Sequence, residues 1–112
     1  MLDRKTIERV ARMFHVLAEP TRLEILQVLQ KSRHSVSEIL EVLDAKQANV
    51  SKQLQILHDA ELVARERVGN TVYYQIADPL VFELCRLVCG KLQRDVQEQL
   101  DSLKKANRKP LE

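Results

Sequence analysis

The feature that most constrains the fold of this chain is a change in the spacing of its apolar residues near residue 61. Before that point apolar side chains recur at three- and four-residue steps, as in Ile7, Val10 and Phe14, which is the period of one helix face. After it, residues 62–68 and 71–76 are rich in β-branched and aromatic side chains and flank Gly69-Asn70. Such a pair of runs around a tight turn is typical of a β-hairpin. The pattern therefore predicts a mainly α-helical chain with a small β-hairpin.

Four helices are predicted before the hairpin and one after it. Pro20 suits the first turn of a helix, and the run Ser35-Val36-Ser37-Glu38 has the form of a capping box. A second cap of this kind is expected between Asp44 and Gln47. The predicted helices cover about residues 3–18, 20–31, 36–43 and 45–60, and a last helix runs from about residue 79 to beyond residue 100. The order α-α-α-α-β-β-α is that of a winged helix-turn-helix.

Length and composition favour one domain. The chain has 112 residues, and its two glycines and three prolines leave little room for a linker. We expect a single winged helix-turn-helix domain over residues 1–103, followed by a polar tail over residues 104–112. The net charge of +2 is too small to indicate a nucleic-acid partner without a motif.

The sequence also predicts the cellular location. No apolar run approaches the roughly 18 residues that span a bilayer, and the first ten residues lack the apolar segment of a secretory signal. Cys85 and Cys89 are too few to form a disulfide framework. We therefore expect a cytoplasmic protein with reduced thiols and no membrane partner.

The fourth helix carries the side chains expected at a DNA-reading surface. Residues 45–58 include no Asp or Glu, as suits a surface that meets phosphates. Glutamine and asparagine can pair with adenine edges, serine can reach bases or phosphates, and lysine can bind guanine or phosphates. A solvated helix face is the alternative for any one of these residues, but the whole set with a hairpin after it favours DNA. The residues predicted to read bases are Gln47, Asn49, Ser51 and Gln53, and those predicted to bind phosphates are Lys46 and Lys52. Gln55 is predicted as a further DNA-binding residue of this helix.

The hairpin forms a predicted wing. Arg65, Arg67 and Asn70 lie around Gly69. Arginines in such a wing can lie along the phosphate backbone or enter the minor groove. The alternative is an ordinary exposed hairpin whose charges aid solubility. We expect Arg65 and Arg67 to contact phosphates.

Two stretches of the chain resemble the ArsR/SmtB family of bacterial repressors. Residues 17–26 read Leu-Ala-Glu-Pro-Thr-Arg-Leu-Glu-Ile-Leu, and residues 49–57 read Asn-Val-Ser-Lys-Gln-Leu-Gln-Ile-Leu. Residues 61–63, the wing and residues 73–76 follow in the family's order, so the resemblance covers about residues 5–100. It implies a homodimer formed through the first and last helices, which represses an operon and releases its DNA on sensing a metal or another stress signal.

Three positions depart from the family pattern. Lys46 stands where serine is usual, Gln53 where histidine is usual, and Glu61 where glycine often ends the recognition helix. These changes can alter operator preference or the turn into the hairpin. The family's arsenic site, a cysteine pair on the third helix, is missing from residues 36–40. Its zinc site of Asp and His on the last helix is also missing, since that helix has Asp78 but no histidine.

Cys85 and Cys89 on the last helix remain as candidate sensing residues. A four-residue spacing puts both thiols on one helix face, with Cβ atoms roughly 5–6 Å apart. A disulfide needs roughly 3.5–4.5 Å, whereas a soft ion such as arsenite, antimonite or copper(I) could bridge two thiolates with less distortion. The alternative is that both cysteines are small apolar members of a dimer-forming stripe. His15, His34 and His58 lack ligand-type spacing and are structural candidates.

These observations predict a dimeric repressor that is not an enzyme. The sequence has no glycine-rich phosphate loop, nucleophile elbow or metalloprotease motif. Two recognition helices related by a two-fold axis would enter major grooves roughly 34 Å apart, so the operator should be an imperfect palindrome of double-stranded DNA. Release by a thiol-reactive signal (a metalloid, soft metal or oxidant) at Cys85 and Cys89 is the first hypothesis. A constitutive DNA-binding regulator with structural cysteines is the second.

Overall fold

The computed structural model describes residues 1–107, and it has the predicted architecture of a mainly helical winged helix-turn-helix. Its helices and strands are α1 (Arg4–Leu17), α2 (Pro20–Lys31), β1 (His34–Ser35), α3 (Val36–Val42), α4 (Gln47–Asp59), β2 (Val63–Val68), β3 (Thr71–Ile76) and α5 (Leu80–Asn107).

The sheet has one strand more than predicted. Its order is β1-β3-β2, and both pairs are antiparallel. The hairpin turns at Gly69-Asn70 as expected, with Val68 opposite Thr71. The added strand β1 pairs His34 with Tyr74. Two residues are too few to show the alternation that marks a strand, so β1 left no pattern in the sequence.

Side-chain caps explain where three of the helices begin. Asp3 accepts from the backbone N–H of Thr6 at 2.8 Å before α1, and Glu19 accepts from that of Arg22 at 3.0 Å before α2. Ser35 and Glu38 form the predicted capping box, because Glu38 N–H donates to Ser35 Oγ and Ser35 N–H donates to Glu38 Oε1.

The cap expected between Asp44 and Gln47 is wrong. Lys46 is the N-cap of α4, and its side chain makes no capping hydrogen bond. The helix begins at Gln47 itself, so this residue is the first of the helix and not the third, where a capping-box glutamine would stand.

The core of residues 1–78, which form one compact unit, lies among α2, α3, α4 and the start of β2. Its fully or nearly fully buried side chains are Ile25, Leu26, Leu29, Ile39, Val50, Leu54, Leu57 and Val63. They recur at helical spacing in α2 and α4, so each helix presents one face to the core and the other to solvent. Burial of one face of α4 therefore fixes which of its polar residues point outward.

Helix α5 forms a second compact unit by itself. Leu92, Val96, Leu100 and Leu103 follow one another at three- and four-residue steps along it, and all four are exposed. The predicted polar tail starts at residue 104, but α5 continues through Asn107, and residues 108–112 lie outside the described residues. None of the helices over residues 1–107 is both long and apolar enough to cross a membrane.

Candidate nucleic-acid interface

The outward face of α4 carries most of the predicted DNA-reading residues. Val50, Leu54 and Leu57 are fully buried, so the residues about half a turn away from them face solvent. Six of the seven predicted residues on this segment are exposed, namely Lys46, Gln47, Asn49, Ser51, Lys52 and Gln55. The exposed set is polar or cationic, as readout of base edges and phosphates requires.

Gln53 is the exception, and its predicted place on the exposed face is wrong. Its side chain is only 6% exposed. Arg22 Nε donates to Gln53 Oε1 at 2.7 Å, and Gln53 Nε2 donates to Asn49 Oδ1 at 2.9 Å. A buried amide needs such partners, since leaving it unpaired costs about 1–3 kcal/mol. Gln53 is thus a buried link between α2 and α4 and does not lie on the outward face of α4.

Arg22 belongs to this region although the sequence did not single it out. Besides binding Gln53, it donates through Nη1 to the Val16 carbonyl oxygen at 2.9 Å near the end of α1. It therefore joins α1, α2 and α4. A signal existed in the sequence, because Arg22 precedes the buried Ile25 and Leu26 by three and four residues and so shares their helix face.

The wing is joined to the recognition helix by a hydrogen bond. Arg65 Nη1 on β2 donates to Gln55 Oε1 on α4 at 3.3 Å, and Gln55 Nε2 donates to Asp59 Oδ1 at 2.8 Å. The amide of Gln55 is therefore held at both ends, and the guanidinium of Arg65 lies beside the outward face of α4. Asp59 is the carboxylate that ends the acid-free stretch of this helix.

The tip of the wing is exposed as predicted. Arg65, Arg67 and Asn70 all face solvent, and Arg67 Nε donates to the Gly69 carbonyl oxygen at 3.1 Å. Glu66 points to the opposite side of β2, and its Oε2 lies 3.9 Å from Nη1 of Arg33. The one acidic residue of β2 is thus directed away from the side that carries Arg65 and Arg67.

Among residues 1–107, two carboxyls have shifted pKa values, and both belong to helix caps. The side-chain and backbone hydrogen bonds from Thr6 hold the pKa of Asp3 below its usual value. The backbone hydrogen bond from Ser35 does the same for the pKa of Glu38. Each carboxylate accepts a hydrogen bond that its charged form strengthens, which is why the shift is downward.

Cys85 and Cys89 lie on α5 as free thiols, with Cys85 half-buried and Cys89 exposed. Over residues 1–107 there is no group of three or more His, Cys, Asp or Glu side chains that could hold a metal ion. Cys85 and Cys89 are therefore the ligands that this part of one chain could offer to a soft ion. Of the histidines, His34 pairs its Nδ1 with the Ser32 carbonyl oxygen at 2.7 Å, and His58 Nδ1 lies 4.0 Å from Asp59.

Comparison with known proteins places this arrangement among bacterial transcription regulators. The helix-turn-helix domain family matches residues 17–66. The transcriptional repressor SmtB homolog of Synechocystis sp. is 36% identical over 86 residues, which are 77% of this chain and 65% of the relative. The matched part thus spans slightly less than two thirds of that relative's length.

Three solved structures resemble most of this chain. Rv0081 of Mycobacterium tuberculosis has a TM-score of 0.78 at 32% identity, covering 88% of this chain and 99% of that one. The antimony-specific transcriptional repressor AntR has a TM-score of 0.74 at 30% identity, covering 87% and 88%. The homodimeric winged helix-turn-helix domain of Mb0332 from Mycobacterium bovis, a possible ArsR-family regulator, has a TM-score of 0.72 at 31% identity, covering 88% and 93%.

Proposed function

The chain belongs to the ArsR/SmtB family of winged helix-turn-helix transcriptional repressors, and on that premise we propose that it binds operator DNA as a homodimer and releases it on a thiol-reactive signal. The proposed signal acts at Cys85 and Cys89. It would be a metalloid such as arsenite or antimonite, another soft metal ion, or an oxidant. The protein would act in the cytoplasm, where its operator lies.

The hydrogen bond between Arg65 and Gln55 is the observation that carries the DNA-binding part of the proposal. It joins the wing to the outward face of α4, so that one surface can meet a major groove and the flanking phosphates together. On this surface Gln47, Asn49 and Ser51 would read bases, and Gln55 would support Arg65. Lys46, Lys52, Arg65 and Arg67 would bind phosphates, with Asn70 at the wing tip.

Exposed apolar side chains support the homodimer. Ile7, Val10 and Phe14 on α1 are 47%, 41% and 56% exposed, and Leu92 and Val96 on α5 are 58% and 56% exposed. Rows of large apolar side chains at helical spacing seldom remain in water, so they indicate a protein partner. A second copy fits best, because Mb0332 is homodimeric and a two-fold axis would match a palindromic operator.

The two thiols support the sensing part. They lie one helical turn apart on α5, and Cys89 is exposed to small reagents. Thiolates prefer soft ions, and AntR, which the chain resembles, is antimony-specific. Binding of an ion across the pair, or oxidation, would change the packing of α5 in a dimer. That change would alter the distance between the two recognition helices.

A constitutive regulator is the second candidate. Cys85 is half-buried on α5, as a structural cysteine would be. In that case the same DNA surface would act without an effector.

Fluorescence anisotropy tests both parts of the proposal. The reduced protein is titrated onto labelled DNA from upstream of its own gene, with and without arsenite. The control is the double variant Cys85→Ser, Cys89→Ser, which contains no cysteine at all. We expect arsenite to weaken wild-type binding about tenfold or more, as for a coupling free energy of roughly 1–3 kcal/mol, and to leave the control unchanged.

Different results would contradict the DNA-binding part and the sensing part of the proposal. Absence of binding to the upstream DNA would contradict the DNA-binding part. Tight binding that ignores arsenite, antimonite and peroxide alike would contradict the sensing part and favour the constitutive regulator.

A further inference from the structure

Arg22, Gln53 and Asn49 form a chain of hydrogen bonds, here called the Arg22–Gln53–Asn49 relay, that fixes the direction of two amides. Arginine has five N–H donors and no acceptor, so the atom of Gln53 that lies 2.7 Å from Arg22 Nε has to be its oxygen. The amide nitrogen of Gln53 then faces Asn49 at 2.9 Å. Because that nitrogen can only donate, Asn49 turns its oxygen inward and its amino group outward.

The relay is held in place by burial and by further contacts. Gln53 is 6% exposed, so water cannot replace either of its partners. Arg22 is fixed through Nη1 to Val16 and through its backbone N–H to Glu19. Turning the amide of Gln53 around would set donor against donor at Arg22 and acceptor against acceptor at Asn49. Each clash would leave buried polar atoms unpaired, so the relay keeps a single polarity.

The outward amino group of Asn49 is free to bind DNA. Asn49 is exposed in the first turn of α4, and no residue among 1–107 accepts a hydrogen bond from its Nδ2. The pairing of asparagine with adenine that the sequence suggested needs an outward oxygen as well, to accept from the adenine amino group. The relay holds that oxygen toward Gln53.

We propose that the relay makes Asn49 a hydrogen-bond donor toward the operator, so that it disfavours cytosine at the position it contacts. In the major groove guanine O6 and N7, thymine O4 and adenine N7 accept hydrogen bonds, whereas cytosine presents only its donating amino group. Gln53 is then a positioning residue that sets base preference without touching DNA. This inference rests on the proposed function, since it assumes that α4 enters a major groove.

The test is selection of binding sites from a pool of random-sequence duplexes by the wild-type protein and four variants. In Gln53→Glu, one carboxylate oxygen still accepts from Arg22, and the other can only accept from Asn49. Asn49 must then turn its amino group inward and its oxygen outward. We expect the base disfavoured at one position of the site to change from cytosine to guanine and thymine, by about five- to tenfold in relative affinity, because an outward acceptor needs a base amino group.

Two variants at the exposed position 49 leave the buried side chains of Arg22 and Gln53 unchanged. In Asn49→Asp the inward oxygen still accepts from Gln53, and the outward group becomes an acceptor, so the same change of base preference is expected. In Asn49→Ala the preference at that position should disappear. Adding Gln53→Glu to Asn49→Ala should then change nothing there, which excludes a direct contact between residue 53 and DNA.

The outcomes separate the inference from the proposed function. A wild-type site that excludes cytosine at one position supports the inference if this exclusion is lost in Asn49→Ala and gives way to exclusion of guanine and thymine in Asn49→Asp, even if Gln53→Glu does not fold. A wild-type site whose bases stay the same in Asn49→Ala overturns the inference and leaves the DNA-binding proposal standing. If wild-type protein enriches no site from the pool, the proposed function fails, and the inference fails with it.

Discussion

Replacing Glu61 with glycine should stabilise this protein, because Glu61 occupies a backbone conformation that suits glycine. Its φ angle is 62°, and it is the one non-glycine residue with positive φ among residues 1–107. It directly follows Ala60, the C-cap of α4. The backbone N–H of Glu61 donates to the carbonyl of His58, and that of Leu62 donates to the carbonyl of Leu57, both at 3.0 Å. This pair of hydrogen bonds is the Schellman motif, in which glycine is the usual residue at the position of Glu61.

The expected gain follows from the backbone alone. The left-handed region destabilises a residue with a Cβ atom by roughly 1–2 kcal/mol, whereas glycine is destabilised by roughly 0.5–1 kcal/mol through lost chain entropy. The side chain of Glu61 is exposed and makes no hydrogen bond or ion pair among residues 1–107, so its loss removes no contact of that kind. We expect Glu61→Gly to raise the free energy of unfolding by about 1 kcal/mol and the melting temperature by about 4–8 °C.

Urea unfolding at pH 7 and one fixed protein concentration measures this gain. Glu61→Ala is the first control, since it removes the charge but keeps Cβ and should gain little. Glu24→Gly is the second, since Glu24 is exposed inside α2 and the same substitution should cost about 1 kcal/mol there. If Glu61→Gly is no more stable than Glu61→Ala, the left-handed strain at this position is not real and the reasoning is refuted.

Three further predictions concern the cap of α3 and the surface of α5. Ser35→Ala should lower the free energy of unfolding by about 1 kcal/mol in urea titrations, because it removes the acceptor for the Glu38 N–H; an unchanged midpoint would contradict the role of the cap. The lowered pKa of Glu38 means that its ionised form stabilises the fold above the ordinary carboxyl pKa near 4, and that this contribution is lost as the pH falls through the folded-state pKa. Wild-type protein should therefore be more stable than Glu38→Gln at pH 7 and lose that advantage progressively as the pH falls below the ordinary carboxyl pKa; a gap that does not depend on pH would show that the charge is irrelevant. Leu92→Glu should convert the dimer to monomer in sedimentation velocity because it places a charge on the exposed apolar row of α5, whereas the neighbouring Lys91→Glu, on another face, should not; dimers that survive Leu92→Glu would place the interface elsewhere.

The large elements could be predicted because their signals are repeated along the chain. Spacing of apolar residues located all five helices, and the capping box at Ser35 set the start of α3 correctly. The error at Gln53 arose from treating every polar residue of α4 as outward. Its position three residues after Val50 and four before Leu57 places it on the buried face, and only a partner on another helix, Arg22, makes a glutamine stable there. Such partners are distant in sequence and leave no local pattern.

Other features depended on packing that no short pattern records. The N-cap of α4 has no side-chain hydrogen bond, so nothing in the sequence marked Gln47 as its first residue. The bond between Arg65 and Gln55 joins residues ten apart on different elements, and it decides that helix and wing form one surface. The sequence showed glutamate at position 61, where the family often has glycine. It did not show that the backbone keeps at Glu61 the positive φ angle that glycine favours.

The salt dependence of DNA binding tests whether α4 and the wing together bind the phosphate backbone. Wild-type protein and the double variant Lys52→Ala, Arg65→Ala are titrated onto the same selected duplex by fluorescence anisotropy at several KCl concentrations. Each phosphate contact contributes about 0.9 to the slope of log affinity against log salt. Losing two contacts in each protomer of the dimer should therefore reduce the slope by roughly 3.6 and weaken binding to a scrambled duplex to a similar degree. A slope equal to that of wild-type protein would contradict the claim that α4 and the wing together bind the phosphate backbone.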